Sequence, residues 1–131
     1  MPLTQLIYAS RPFGFDDAML AGILMDARRC NARDDVTGAL ICRADLYLQL
    51  LEGPELAINA TYHRIAADDR HMEISLLSRA EVNIRLFPGW TMRDDPARSW
   101  FWTKAEVAAG ALDRATPAEI RAAFARIATE S

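Results

Sequence analysis

Residues 46–54 read LYLQLLEGP, a short apolar run that carries one amide side chain, Gln49, and ends in Gly-Pro. A run of this length bounded by Gly and Pro is typical of a buried strand. Strand alternation places Gln49 on one face and Leu48 and Leu50 on the other. Since apolar residues occur on both faces, the sequence predicts a strand that is covered on both sides.

The segments around this run predict alternating strands and helices. Short apolar runs between turns indicate strands, and apolar residues at helical spacing indicate helices. The order strand, helix, strand, strand, helix, strand, short strand matches a ferredoxin-like α+β plan, in which two helices cover one sheet face and the first and third strands are neighbours. The predicted strands are Leu3–Ser10, Val36–Cys42, Leu46–Leu51, Glu73–Phe87 and Trp90–Arg93, and the predicted helices are Asp16–Asn31 and Glu55–Ala67.

Two further helix starts are predicted in the C-terminal segment. Thr103 with Glu106, and Thr116 with Glu119, fit the capping box, in which each side chain bonds the backbone N–H of the other residue. The second start precedes an apolar stripe at i, i+4, i+7 spacing. We expect this stripe to cover the sheet face that the first two helices leave open. A helix that binds a partner protein is the alternative. The stripe consists of Ile120, Phe124 and Ile127.

Composition limits the class of protein. The chain has 131 residues, 51% hydrophobic and 25% charged, which is typical of one soluble globular domain. A net charge of −3 with interspersed basic residues argues against direct binding of nucleic acid or of an anionic membrane. Without a secretory leader or a spanning apolar run, a cytoplasmic protein is expected. Cys30 and Cys42 form neither a metal motif nor a disulfide framework.

Several polar side chains lie where their neighbours predict burial. The ferredoxin-like plan places Tyr8 beside Gln49, and a buried amide without partners costs about 1 to 3 kcal/mol. A Tyr8–Gln49 hydrogen bond meets this need, whether it only fixes strand register or also serves a ligand. Asn31 ends the first predicted helix, while Arg64 and Asp68 are four apart on the second. These have ordinary explanations as a helix cap and a solvated ion pair; together the groups would suit a flat polar ligand between the helices.

At these positions the chain resembles the BLUF family, blue-light sensors that use FAD. The resemblance runs in family order from residue 3 to about residue 93, and its specificity lies in the joint order and spacing of its pieces. Cys30 departs from the family, in which a polar residue often precedes the asparagine. The surroundings of neither cysteine resemble the adduct motif of LOV photosensors, so no covalent flavin adduct is expected. The matching segments are 6–10 (LIYAS), 31 (N) with 36–38 (VTG), 48–53 (LQLLEG), 62–65 (YHRI) with 68–71 (DDRH), and 87–92 (FPGWTM).

The resemblance implies a flavin held noncovalently between the two helices. FAD is the expected cofactor, with FMN and riboflavin as alternatives. Asn31 would hold the polar edge of the ring through its amide, and Arg64 and Asp68 would bond its carbonyl and imide side. His71 would lie beside the ring, although from the sequence alone it reads equally well as a surface histidine.

The resemblance also implies how light is detected. Blue light excites the flavin, Tyr8 supplies an electron and a proton, and recombination leaves Gln49 rotated or tautomerised, which shifts flavin absorption to the red. Trp90 and Met92, two apart on the short last strand, would report the change. Without the family, both read as ordinary core residues.

The chain divides on this interpretation into a photosensor domain of residues 1–93 and a helical cap or output segment of residues 94–131. The signal is expected to reach an unidentified partner protein or to change self-association into a homo-oligomer, and no enzymatic activity is expected. Two other classes stay open. An acylphosphatase-like enzyme needs an anion-binding loop that residues 11–14 (RPFG) lack. A flavin-free ferredoxin-like module would bind another protein.

Overall fold

The computed structural model of the chain describes residues 3–12, 17–43, 46–67, 71–90, 92–96 and 102–129. Strands and helices alternate in the predicted order, and further helices follow the last strand. The strands are β1 (Leu3–Pro12), β2 (Thr37–Arg43), β3 (Leu46–Gly53), β4 (His71–Val82) and β5 (Arg93–Pro96). The helices are α1 (Asp17–Asp34), α2 (Glu55–Ala66), α3 (Lys104–Ala108), α4 (Ala111–Arg114) and α5 (Pro117–Thr129).

The strands form one sheet in the order β4-β1-β3-β2-β5. The first four strands pair antiparallel, and β5 lies parallel to β2. As the ferredoxin-like plan predicts, β1 and β3 are interior neighbours, and their register sets Tyr8 directly opposite Gln49. The β1–β4 pairing shifts register between Ile7 and Tyr8. Such irregularities change the direction in which nearby side chains point, and this one lies next to the predicted site residue Tyr8.

Strand alternation divides the core into two layers, one on each sheet face. Helices α1 and α2 cover the first face, and the C-terminal helices cover the second. The first layer contains Leu6, Tyr8, Ile23, Leu24, Val36, Leu40, Tyr47, Leu51, Ile58 and Met92. The second contains Ile7, Ala9, Ala39, Ile41, Leu46, Leu48, Leu50, Phe87, Leu112, Ile120, Phe124 and Ile127.

The C-terminal helices confirm the predicted covering of the second face. The stripe on α5 is fully buried against the sheet. Thr103 Oγ1 accepts from the Glu106 N–H at 3.1 Å, and Glu106 Oε1 accepts from the Thr103 N–H at 3.0 Å. The same reciprocal pair joins Thr116 and Glu119. Both capping boxes are therefore present. Within the described ranges, none of the helices has the length and apolarity needed to cross a bilayer.

The first helix is longer than predicted. It continues past Asn31 to Asp34 and stops at Asp35, whose φ of 60° is left-handed. Asp tolerates this conformation better than most residues do. A residue in the left-handed conformation cannot continue a right-handed helix, so α1 ends here. The expectation that Asn31 ends the helix was therefore wrong: Asn31 lies in its last turns, and its carbonyl accepts from the Val36 N–H at 2.9 Å.

The end of the fourth strand and the position of the fifth also differ from prediction. β4 stops at Val82 instead of Phe87, and the backbone N–H groups of Leu86 and Phe87 bond the side chain of Glu52 rather than a neighbouring strand. The predicted strand at residues 90–93 lies further along, since β5 begins at Arg93. Trp90 precedes it in a turn, where its N–H donates to the Phe87 carbonyl at 3.1 Å.

Candidate functional site

A cavity of about 170 Å³ lies between α1 and α2, with Gln49 and Leu51 of β3 at its base. Its walls mix apolar and polar side chains. Sites that enclose a drug-sized ligand typically measure roughly 300 to 1,000 Å³, so this cavity is large enough for part of a dinucleotide but not for the whole molecule. The other lining residues are Ile23, Asp26, Ala27, Arg29, Cys30, Asn31, Thr61, Arg64 and Ile65.

Gln49 is 3% exposed and is engaged at both ends of its amide. Its Oε1 accepts a hydrogen bond from Tyr8 Oη. Its Nε2 donates to Met92 Sδ at 3.3 Å. Tyr8 and Met92 are both buried. Because an amide has an acceptor at one end and a donor group at the other, rotation of Gln49 would change what it offers to both neighbours.

Asn31 lies on the α1 wall of the cavity and is 1% exposed. The bond from the Val36 N–H to its carbonyl fixes the backbone where α1 turns into β2. The amide is thus held on a buried wall of the cavity, and it carries both a donor group and an acceptor. It can therefore bind the polar edge of a ring.

Thr61 on α2 is a cavity residue that the sequence reasoning did not single out. It is 1% exposed, and among the described residues its Oγ1 has no hydrogen-bond partner. A buried hydroxyl without a partner costs about 1 to 3 kcal/mol. A ligand in the cavity would remove this deficit. The available signal was a polar residue within the otherwise apolar stripe formed by Ile58 and Ile65.

Charged side chains stand where the cavity meets solvent. Arg64 Nη1 on α2 lies 3.9 Å from Asp34 Oδ2 on α1, so this pair joins the two helices. The hydrogen bond from Arg33 lowers the pKa of Asp34, and the charges of Arg33 and Arg64 act in the same direction. Asp34 is therefore ionised at neutral pH and can orient Arg64. Since both partners are partly exposed, the pair adds little to stability.

The structure does not bring every predicted site residue to this region. Trp90 is 47% exposed and is absent from the described cavity lining, in contrast to the buried Met92. Asp68 lies outside the described residues, as does the side chain of His71, whose backbone begins β4. The predicted residues that do meet at the cavity or directly beneath it are Tyr8, Asn31, Gln49, Arg64 and Met92.

Known proteins that resemble this chain share one light-sensing family. A family model described as "BLUF: Sensors of blue-light using FAD" matches residues 3–93. The chain is 36% identical over 91 residues to photoactivated adenylate cyclase subunit beta of Euglena gracilis, which covers 69% of this chain and 10% of that protein. It is 40% identical over 75 residues to the blue light- and temperature-regulated antirepressor BluF of Escherichia coli (strain K12), covering 55% and 18% respectively. The chain thus spans less than a fifth of the length of these two relatives.

Solved structures agree with this relationship. The dark-state structure of the BLUF protein BlrB superposes with a TM-score of 0.78 at 30% identity, covering 99% of this chain and 98% of that one. The photo-activated state of BlsA gives a TM-score of 0.80 at 20% identity over 96% of this chain and 94% of that one, a likeness of fold. With a family match that includes the whole cavity lining, the chain belongs to the BLUF family of blue-light sensors that use FAD.

Proposed function

We propose that this blue-light sensor binds FAD noncovalently between α1 and α2 and signals by exchanging the hydrogen-bond partners of Gln49. The observation that carries the proposal is the position of Gln49. Its amide joins Tyr8 Oη to Met92 Sδ at the base of the cavity. One side chain is therefore in contact with the cavity, with a redox-capable phenol and with the segment that leads into β5.

The chain's own groups fit a flavin ring. The cavity between the two helices has both polar and apolar walls, and the buried Thr61 hydroxyl has no partner among the described residues. We propose that Asn31, Thr61 and Gln49 bind the polar edge of the ring and that Arg64 binds its carbonyl side. From the family resemblance, Asp68 and His71 are proposed as further contacts. When bound, the flavin supplies the absorption of blue light and the driving force of the photochemistry.

The switch itself is a change in the protein's hydrogen bonds. The Tyr8 hydroxyl donates to Gln49 Oε1, and we assign this arrangement to the dark state. Transient release and return of the Tyr8 proton frees the Gln49 amide to rotate or tautomerise. A rotated amide offers Nε2 to Tyr8 and withdraws that donor from Met92 Sδ. Net hydrogen bonds contribute about 0.5 to 1.5 kcal/mol each, so the two states differ by little and the dark state can recover thermally.

The output is proposed to be noncovalent. Residues 1–93 would act as the receiver, and residues 94–131 would cap the sheet and present the signal. The recipient would be a separate partner protein or a second copy of the chain, without an enzymatic step in these residues. The Euglena gracilis relative is named for adenylate cyclase activity, but this chain covers 10% of it, so no cyclase activity is carried over.

The test is the absorption spectrum of the purified protein before and after blue light. We expect a yellow protein with a reversible red shift, and mass spectrometry of the released flavin distinguishes FAD from FMN and riboflavin. Tyr8→Phe should bind flavin but lose the shift. Tyr62→Phe is the matched control, because its ring packs edge-on against Tyr8 with centroids 5.9 Å apart; it should retain the shift.

Two results would contradict this proposal. A full reversible shift in Tyr8→Phe would remove Tyr8 from the mechanism. A colourless protein that cannot be reconstituted with flavin would favour a flavin-free module that binds another protein.

A further inference from the structure

Glu52 is a buried carboxylate on β3, on the sheet face opposite Gln49. The two positions are an odd number of residues apart, so alternation points their side chains to different faces. Glu52 is 0% exposed. Its Oε1 accepts from the Phe87 N–H at 2.7 Å and its Oε2 from the Leu86 N–H at 3.0 Å. A carboxylate that accepts two consecutive backbone N–H groups holds that backbone in a defined orientation.

This anchor lies at the start of the segment that carries Met92. Past Phe87 the chain turns, and the Trp90 carbonyl accepts from the Gly38 N–H at 3.0 Å. The backbone is therefore fixed to β3 at Leu86 and Phe87 and to β2 at Trp90, two residues before Met92, whose Sδ lies 3.3 Å from Gln49 Nε2. The position of Met92 depends on where these attachments hold the segment.

Arg85 strengthens the same attachment. Its Nη1 donates to Thr37 Oγ1 at 2.8 Å and to the Glu52 carbonyl at 3.1 Å. Its Nη2 donates to the Asp35 carbonyl at 2.9 Å. The guanidinium thus binds the turn between α1 and β2 to the segment that Glu52 anchors. Few backbone movements of that segment are compatible with both sets of bonds.

Glu52 also connects this segment with α5. Gln5 Nε2 donates to Glu52 Oε2 at 3.5 Å, and Gln5 Oε1 accepts from Arg121 Nε of α5 at 2.9 Å. The Phe87 ring packs edge-on against Phe124 of α5, with centroids 6.5 Å apart. Movement of the anchored backbone would therefore change contacts with α5 on the second sheet face.

We propose that Glu52 is a positioning residue whose carboxylate sets the placement of Met92 against Gln49 and links that placement to α5. Its photochemical consequence rests on the proposed function. The positioning itself is a property of the chain without flavin, so the two can be tested separately.

The variant that tests positioning is Glu52→Gln. It keeps the shape of the side chain but replaces one acceptor oxygen by an NH₂ group, so one of the two backbone N–H groups loses its acceptor. Glu81→Gln, at an exposed carboxylate on β4, is the matched control. In flavin-free protein labelled at the methionine methyl groups, we expect the NMR resonance of Met92 to shift in Glu52→Gln only, with Met92→Leu used for its assignment.

Two further readouts accompany the resonance. Loss of a buried hydrogen bond should speed hydrogen exchange at the Leu86 or Phe87 amide by about tenfold or more. In the flavin-loaded protein, the dark-recovery rate should change by about threefold or more in Glu52→Gln, since a small change in hydrogen bonding alters recovery, and should be unchanged in Glu81→Gln.

An unmoved Met92 resonance in folded Glu52→Gln would overturn the proposal, even if amide exchange became faster. If Glu52→Gln does not fold, amide hydrogen exchange in the unaltered chain still tests the proposal. Slow exchange at Leu86 and Phe87 supports the attachment to Glu52, and exchange as fast as at exposed Asn83 overturns it. If Met92 moves but the unaltered protein shows no red shift, positioning stands and the blue-light mechanism fails.

Discussion

The hydrogen bonds that allow Gln49 to be buried are the same ones that the proposed switch exchanges. Gln49 is an amide between Leu48 and Leu50 on a fully buried strand, so it needs partners in order to be buried. Tyr8 supplies one partner from β1, and Met92 supplies the other from the segment just before β5. Its neighbours Leu48 and Leu50 offer no alternative side-chain partners because they are apolar and face the other way. Few hydrogen-bond patterns are therefore available, which suits a side chain with two defined states.

At Asn31, replacement by alanine is expected to weaken flavin binding by about 5- to 30-fold, because hydrogen bonds to a buried amide contribute about 1 to 2 kcal/mol. Titration of flavin into flavin-free protein, followed by quenching of flavin fluorescence, measures the effect. Asn59→Ala is the matched control, since Asn59 lies on α2 but is absent from the described cavity lining. Equal affinities for Asn31→Ala and the unaltered chain would exclude Asn31 as a ring contact.

The site residues differ in how far the sequence could predict them. The order of elements alone places β1 beside β3, and hence Tyr8 beside Gln49, because a topology determines which strands are neighbours. The burial of Thr61 depends on how α2 faces α1, and the exposure of Trp90 depends on how residues 83–90 turn. These are relations between distant segments, and no local pattern specifies them.

The same distinction holds for the elements. Both C-terminal capping boxes were predictable because their residues are three apart and interact locally. The apolar residues Ile84, Leu86 and Phe87 read as a continuation of β4. A carboxylate on another strand bonds those amides instead. Glu52 had a signal, an acid at the end of an apolar strand, but its partners could not be inferred from it.

The cap of α3 predicts a pH effect. Hydrogen bonds from the backbone N–H and then the side chain of Thr103 lower the pKa of Glu106 from its ordinary value of 4.5. Because the pKa of Glu106 is lower in the folded state than in the unfolded state, ionised Glu106 stabilises the folded state at pH values above the ordinary pKa. This contribution disappears as the pH falls through the folded-state pKa. An NMR titration should place the Glu106 midpoint below 4.5 and raise it in Thr103→Ala. A midpoint unaffected by the substitution would show that the Thr103 side chain does not contribute to the lowered pKa.

The pairing of β2 with β3 leaves no room for a side chain at position 38. A Cβ on Gly38 would overlap the Leu50 carbonyl oxygen, whereas one on Gly89 would meet nothing within 4 Å. Gly38→Ala should therefore lower the free energy of unfolding by about 3 kcal/mol or more, as severe overpacking does. Gly89→Ala should stay within about 0.5 kcal/mol of the unaltered chain. Urea unfolding measures both, and similar values for the two variants would show that the strands yield.

For the whole molecule, ligand binding and folding are linked. Flavin that binds only the folded chain stabilises it by about 2.7 kcal/mol at a concentration 100 times Kd. For a domain of this size, the midpoint of thermal unfolding should rise by roughly 10 °C. Circular dichroism melts with and without excess FAD measure the rise, and Asn31→Ala should show a smaller one at the same concentration. No rise would mean that the folded chain does not bind FAD.

The sheet is one layer thick, and every residue of β3 is buried. Two residues next to each other on β3 therefore contact different compartments, one beneath the proposed chromophore and the other beneath α5. A structural change transmitted from one sheet face to the other therefore crosses only the thickness of the sheet and not the length of the domain. The face covered by α5 can therefore be redesigned separately. A different helix with apolar residues at the positions of Ile120, Phe124 and Ile127 could couple the same light receptor to a new partner protein, while the proposed flavin cavity on the other face stays unchanged.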